Sequence, residues 1–366
     1  MDLIYMILQK GIDLGATDIH LVPNCSPVYR INRKLEFLNA IFPMNTVFLK
    51  ELVEFFEKTT PGLKEEFETH KQADFPYTYK DYRFRVNVSL TKSNPTFSIR
   101  IIPNGDIDID NLGISEIVRK MKKVNSGLIL VTGKVNSGKS TTMNGYIQEI
   151  NKEETKKIVT LEEPIEYVHE SDKCAIVQKE IGKESDVLTY NDGLINLLRE
   201  DADITVIGEI RDHRTMDVVI DLAESGNLVI GTLHTRSCGE TVERIVNMYQ
   251  PSDQESIKDS VSSILRLVVS QKLIVGKNGG LVLVPEIMVV NNTIAALIRQ
   301  NKFSISDIED AIHSQRELGC LSYEYSFANL YMKGLVDMDT IKQNVDQDRL
   351  DIIKGLIVNS GGTVEQ

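Results

Sequence analysis

The sequence is poor in the residues that would make it a disulfide scaffold or a zinc module. Its 366 residues hold four cysteines, Cys25, Cys174, Cys238 and Cys320, and no two of them form a C-x-x-C pair. That spacing indicates neither a zinc ribbon nor a redox dithiol, and it reads as four thiols in a reducing cytosol. Long apolar runs are missing as well. No stretch approaches the roughly 20 residues that a membrane-spanning helix needs, so any membrane contact is expected to be peripheral or through a partner. The opening Met1-Asp2-Leu3-Ile4-Tyr5-Met6-Ile7-Leu8-Gln9-Lys10 lacks the positive flank and the small-residue cleavage site of a secretory signal, and it reads as a first helix. Basic charge is also scarce. A net charge of −12 argues against a general nucleic-acid coat, whose phosphate contacts need a basic face, while a local basic pore stays open.

An apolar fraction of 42% supports globular folding, and the length suits two domains. Residues 81–88 alternate polar and apolar, which predicts a half-buried strand with Arg83, Arg85 and Asn87 on its open face. Phe97-Ser98-Ile99-Arg100-Ile101 repeats the pattern, with Arg100 opposite its apolar neighbours. Pro103-Asn104-Gly105-Asp106 and the acidic, turn-rich run to Asn111 break the periodicity and read as a linker. Beyond it, apolar strands alternate with helical periodicity, which predicts a mostly parallel α/β sheet with helices on both faces. The candidate strands are 128–131, 158–161, 204–207 and 228–232. Met216, Val219, Ile220 and Ala223 fall at helix spacing, with Gly226 as the stop. Val261, Ile264, Leu265 and Val268 form one stripe, read as core. From about Ser304 a small helical appendage is expected, ending in a frayed Gly-Gly tail.

The chemistry concentrates in Gly133-Lys134-Val135-Asn136-Ser137-Gly138-Lys139-Ser140, a complete G-x-x-x-x-G-K-S phosphate loop between the apolar run 128–131 and a helix-compatible segment. Glycines let backbone N–H groups curl around phosphates, the lysine neutralises β/γ charge, and the serine hydroxyl ligates Mg²⁺. The chain is thus expected to bind ATP with Mg²⁺. Downstream, Thr160-Leu161-Glu162-Glu163-Pro164-Ile165-Glu166 is acidic at a strand end. Ligands gather at the carboxyl ends of strands in parallel α/β sheets, so these carboxylates should face the crevice of Lys139. A second apolar strand ends at Gly208-Glu209, where Glu209 would hold Mg²⁺ or its waters and polarise the attacking water. Gly231-Thr232-Leu233-His234-Thr235 ends a third strand. A lone histidine is more often structural, but His234 beside two carboxylates and a lysine suits a γ-phosphate sensor.

This order of motifs resembles the secretion ATPase superfamily of type IV pili and type II secretion, and within it the pilus retraction motors. Gly15-Ala16-Thr17-Asp18-Ile19-His20-Leu21 matches the amino-terminal signature, Ala223-Glu224-Ser225-Gly226 precedes the histidine box, and Leu297-Ile298-Arg299 and Gly334-Leu335-Val336 match the carboxyl-terminal region more loosely. The resemblance implies a smaller PAS-like α+β N-terminal domain (1–103), a linker (104–112) and a RecA-like parallel-sheet P-loop ATPase domain (113–366). It implies a homohexamer with nucleotide between subunits and a hinge near Gly105. By position, Gly133, Asn136, Ser137, Gly138, Lys139, Ser140 and Thr141 hold nucleotide, with Thr141 near the α-phosphate. Ser140 and Glu209 serve the metal, and Glu162, Glu163 and Glu166 form the acidic box. Arg83, Arg85 and Arg100 match arginines that reach a nucleotide from the amino-terminal domain, an ordinary surface role being the competing explanation. Arg199 and Arg211 are further candidates, with local salt bridges as theirs. The implied partners are other copies of the chain, an inner-membrane pilus platform protein and a paired pilus motor; zinc and nucleic acid are not expected. The implied place is the cytoplasm, peripheral to the inner face of the membrane.

Two departures from the family pattern stand out. Lys134 and Asn136 replace Pro and Gly in the loop, where Asn takes a left-handed backbone less freely than Gly. Asn227 replaces a second histidine ahead of the box, which puts a sensing role there in doubt. The expected function is an ATP-hydrolysing retraction motor. An assembly ATPase of pili or a competence pseudopilus, and a weakly hydrolysing nucleotide-sensing scaffold, are the alternatives.

Overall fold

The computed structural model describes residues 2–32, 34–37, 43–102, 106–182, 186–300 and 303–363. The chain gathers into two compact units, Met1–Gly105 and Asp106–Gln366. Pro103, Asn104 and Gly105 of the expected linker and hinge lie outside the described residues, as do 364–366 of the expected tail.

The first unit holds helices α1 (Asp2–Asp13), α2 (Thr46–Glu57) and α3 (Leu63–His70). Its strands are β1 (Asp18–Leu21), β2 (Val28–Ile31), β3 (Lys34–Phe37), β4 (Gln72–Tyr79), β5 (Tyr82–Thr91) and β6 (Asn94–Ile102). The strands form an antiparallel sheet in the order β3-β2-β1-β6-β5-β4. Period-two alternation decides which face is covered. Phe84, Val86 and Val88 of β5 and Phe97, Ile99 and Ile101 of β6 are buried with Ile4, Ile7 and Leu8 of α1 and Leu49, Leu52 and Phe56 of α2. The Asn45 side chain accepts from Phe48 N and satisfies one orphan N–H at the start of α2. On the opposite face the register sets Arg30, Asp18, Arg100 and Arg85 in one row across β2, β1, β6 and β5.

The second unit is a seven-stranded sheet. In chain order it runs through α4 (Ser115–Met121), β7 (Gly127–Thr132), α5 (Lys139–Glu153), β8 (Lys157–Glu162), β9 (Ala175–Glu180), α6 (Tyr190–Leu197), β10 (Ile204–Ile207), α7 (His213–Glu224), β11 (Leu228–Leu233), α8 (Cys238–Val246), α9 (Gln254–Ile264), β12 (Leu265–Val275) and β13 (Leu281–Val289). Helices α10 (Asn292–Arg299), α11 (Ile305–Ser314), α12 (Tyr323–Met332), α13 (Met338–Asn344) and α14 (Gln347–Asn359) complete it. The strand order is β13-β12-β7-β11-β10-β8-β9, parallel except for the β12/β13 pair.

Both faces of this sheet are covered, which is why its inner strands read as unbroken apolar runs. Leu128 and Leu130 of β7 pack with Met216 and Val219 of α7 and Val242 and Ile245 of α8. Ile129 and Val131 pack on the other side with Val118 and Met121 of α4 and Met143 and Ile147 of α5. Helices α12 to α14 cover Ile274 and Val284 at the antiparallel edge. The four expected strands and the 216–223 helix are present, and Gly226 ends that helix at φ +103°. The stripe from Val261 to Val268 is buried but not one element. The helix stops at Ile264 and a strand begins at Leu265, where β-branched Val268 and Val269 suit a pleated surface.

Candidate nucleotide site

The phosphate loop leaves the carboxyl end of β7 and turns into α5 through three left-handed or strained residues. Gly133 has φ +143°, Asn136 φ +62° and Gly138 φ +90°. Asn136 therefore adopts the left-handed backbone expected to be harder for it than for glycine. Gly133 has no room for a side chain: a Cβ there would lie 2.4 Å from Gln271 O and 2.4 Å from Ser137 Oγ. Ser137 N donates to Lys134 O at 3.2 Å, closing the turn, and buried Ser137 Oγ has no hydrogen-bond partner. Ser140 and Thr141 follow in the first turn of α5, half-buried, at the end where the helix dipole favours anions.

Lys139 is buried, and its Nζ donates to Gly133 O at 2.9 Å and Lys134 O at 3.1 Å. Burial pulls its pKa below the usual lysine value, while Glu209 and Glu166 pull it back up. The same Nζ lies 3.4 Å from His234 Nδ1, and His234 Nε2 lies 3.3 Å from Glu209 Oε1. An ammonium only donates, so Nδ1 accepts and Nε2 carries the proton offered to Glu209. The carboxyl ends of β7, β10 and β11 thus bring Lys139, Glu209 and His234 into one chain of contacts.

Glu209 has further partners. Its Oε2 accepts from Arg211 Nε at 2.8 Å, and Arg211 Nη1 is 3.0 Å from Glu163 Oε2. Tyr190 OH donates to the Glu209 carbonyl at 2.5 Å, and the Glu209 N–H donates back to the same hydroxyl at 3.4 Å. Arg211 is therefore engaged in local salt bridges. Glu162 accepts from Thr160 Oγ1 at 2.7 Å and Gln178 Nε2 at 3.2 Å, and burial raises its pKa. Among the carboxylates at these strand ends, Glu209 and Glu166 act electrostatically on Lys139, and Glu163 joins through Arg211.

In the first unit, Arg83, Arg85 and Arg100 lie on the polar face of the antiparallel sheet. Arg100 Nε donates to Asp18 Oδ1 at 3.1 Å, and Arg85 Nε is 3.8 Å from Asp74 Oδ1. Arg199 is exposed at the end of α6. Asn227 lies apart from these groups. Its carbonyl accepts from Gly127 N at 3.0 Å, at the amino ends of β7 and β11. At about 3.3 Å per residue it stands roughly 20 Å from the crevice that the carboxyl ends form, so its departure from histidine does not touch the site.

Sequence reasoning missed Tyr190, Gln271, Asn144 and His169. Gln271 Nε2 donates to Thr142 Oγ1 at 2.7 Å, tying α5 to β12. Only His169 carried a signal, three residues beyond the acidic run that ends at Glu166. Among the described residues no group of three or more His, Cys, Asp or Glu could hold a metal ion, and no helix is long and apolar enough to cross a membrane.

Comparison with known proteins agrees with this geometry. The type IV pilus retraction ATPase PilT of Pseudomonas aeruginosa is 32% identical over 338 residues, which cover 92% of this chain and 96% of that protein. A twitching motility protein of Neisseria gonorrhoeae is 35% identical over 272 residues, 74% of this chain and 72% of that protein. The crystal structure of the pilus retraction motor PilT with bound ADP superposes with a TM-score of 0.80 at 31% identity, covering 94% of this chain and 98% of that one. The parallel-sheet unit has the RecA-like P-loop ATPase fold. A family model described as type II/IV secretion system protein matches residues 69–321, and the chain belongs to that family.

Proposed function

We propose that this protein is an ATPase that works as a ring of six copies and drives type IV pilus retraction, the motion behind twitching. The observation that carries the reading is the His234 bridge, 3.4 Å from the phosphate-loop lysine and 3.3 Å from Glu209. Lys139 neutralises the β- and γ-phosphates of ATP, and the N–H groups at the start of α5 cradle them. Glu209 polarises the attacking water, and His234 exchanges its carboxylate partner for the terminal phosphate and so reports its loss. Thr141 lies by the α-phosphate, and Glu162, Glu163 and Glu166 shape the acidic wall. Arg83, Arg85 and Arg100 stabilise phosphate charge on a neighbouring copy.

The donor set fits Mg²⁺, which keeps several waters and takes one or two protein oxygens alongside substrate phosphates. Ser140 and Glu209 would supply those oxygens, and the ion, when bound, offsets charge on the phosphates. An inner-membrane pilus platform protein is the partner on which the ring acts, placing it at the inner face of the membrane, with a paired pilus motor as a second partner.

Steady-state ATP hydrolysis, measured against protein concentration beside Lys139→Ala and Glu209→Gln, tests the reading. Turnover per chain should rise with concentration and vanish in both variants, with Glu209→Gln still binding nucleotide. Tight ATP binding with no turnover above the variants would leave a nucleotide-sensing scaffold instead. Cells lacking the gene should carry excess unretracted pili; bald cells would mean assembly.

A further inference from the structure

The segment after β8, from Glu163 to Lys173, contains no helix or strand, so side chains must hold it in place. Two of its residues reach the phosphate-loop helix. Tyr167 OH is 3.4 Å from Thr141 Oγ1, and His169 Nε2 is 2.7 Å from Asn144 Oδ1. Asn144 is buried one turn beyond Ser140, and its Nδ2 donates to Ser140 O at 2.9 Å. With the amide nitrogen so engaged, Oδ1 must accept, and His169 Nε2 carries the proton between them. On its other side, the His169 backbone N–H donates to Gln178 Oε1 at 2.8 Å. Gln178 Nε2 in turn donates to Tyr167 O at 2.8 Å and Glu162 Oε1 at 3.2 Å. An unbroken chain of directed hydrogen bonds therefore runs from the carbonyl of Ser140 to the carboxylate of Glu162. Burial holds the His169 pKa down to about 4, so near neutral pH the ring acts as a fixed donor and not as an acid or base.

We infer that His169 and Asn144 are positioning residues that register the acidic segment against the phosphate-loop helix, so that the Ser140 hydroxyl and the strand-end carboxylates converge on one metal–nucleotide complex. This rests on the ATPase reading of the site. The physical need is precision. A donor set must be held within about 0.5 Å, and side chains outside the site achieve this by fixing the backbone that carries it. Asn144 sets the helix turn that carries Ser140. His169 sets the irregular segment that carries Glu163, which Arg211 ties to Glu209, and Glu166, which acts on Lys139.

The test is binding of fluorescent ADP to the full chain, with EDTA and across a Mg²⁺ titration. His169→Phe keeps the ring volume and loses the donor; Asn144→Leu removes the other half; His169→Gln restores an N–H donor. In His169→Phe and Asn144→Leu the Mg²⁺ concentration at half-effect should rise about tenfold, with metal-free ADP affinity within twofold of the parent. His169→Gln should recover to within threefold, and the double variant should be no worse than either single one. An unchanged Mg²⁺ response in a folded His169→Phe would overturn the inference, as would an equal loss of metal-free binding, which marks a merely structural contact. Should the parent bind Mg²⁺ and ADP without turning over ATP, the ATPase reading falls while the metal response still decides the roles of His169 and Asn144.

Discussion

Glu286 on β13 is buried to 3% exposure, and its Oε2 accepts from Cys238 N, the first residue of α8, at 2.6 Å. Burial raises its pKa from 4.5 to about 7; the Cys238 bonds pull it down, and Glu309 and Glu324 push it up. The folded carboxyl thus keeps its proton to about pH 7, whereas the unfolded one releases it near 4.5. The native state binds more protons in that window, so stability falls as pH rises through it. A shift of this size corresponds to about 3 kcal/mol once pH exceeds 7. His169 works in the opposite sense: burial lowers its pKa from 6.5 to about 4, the unfolded state binds more protons there, and stability rises with pH. These two contributions nearly cancel between about pH 4.5 and 6.5, and the difference between the parent and Glu286→Gln isolates the carboxyl. The glutamine oxygen keeps the Cys238 bond and cannot ionise. At pH 5 the variant should match the parent within about 1 kcal/mol, and at pH 8 it should be more stable by about 3 kcal/mol. For a domain of roughly 250 residues that is a gain of about 6–12 °C in Tm at pH 8, read by scanning calorimetry or fluorimetry. An equal Tm difference at both pH values, or a less stable variant at pH 8, would refute the reasoning.

Three further outcomes are expected. Gly133→Ala forces a Cβ against Gln271 O and Ser137 Oγ at a strained φ, so nucleotide affinity should fall at least tenfold, with a stability loss of about 3 kcal/mol. Gly226→Ala, left-handed but with nothing within 4 Å, should cost only about 1–2 kcal/mol and leave hydrolysis unchanged; equal effects in the two variants would remove the steric argument. If Arg100 serves a neighbour's nucleotide, mixing inactive Lys139→Ala with inactive Arg100→Ala should restore part of the turnover, since some junctions then join an intact lysine to an intact arginine. No recovery in mixed rings would place Arg100 outside the shared site.

The parts visible in the sequence are those where a single period or a single turn dominates. β7 is legible because both its faces are buried, and β5 because only one is, which put Arg83 and Arg85 on the polar side. The edge strand β9 escaped notice because its Ile176, Val177, Gln178 and Lys179 are all half-buried and neither period prevails. Helix α5 carries buried Thr142, Asn144, Gln148 and Asn151, which a hydrophobic pattern would place outside. Two of them bond loop backbone: Gln148 exchanges two bonds with Ile107, and Asn151 Oδ1 accepts from Asp172 N and Cys174 N, whereas Thr142 pairs with the Gln271 side chain and Asn144 with Ser140 O and the His169 ring. In the site, the loop lysine and the strand-end Glu209 follow from local motifs. The division of labour among Glu162, Glu163 and Glu166 depends on which way each side chain turns, and the distance of Asn227 from the crevice was not legible because adjacency in sequence does not tell which end of a strand a residue occupies.

The strand that feeds the phosphate loop pairs on one side with β11, beginning at Leu228, and on the other with β12, beginning at Leu265. Neither neighbour exists when Gly127–Thr132 leaves the ribosome. The amino-terminal sheet can close on itself while its successor waits with an unpaired Leu-Ile-Leu-Val strand, and at 5–20 residues per second that wait lasts on the order of ten seconds. Such long-range parallel pairing is intrinsically slow and exposes an aggregation-prone edge until it is satisfied. The strand that shapes the phosphate loop thus gains its second neighbour late in synthesis, after Ser270, and a chain released before Leu228 carries the whole phosphate-binding motif with neither flanking strand.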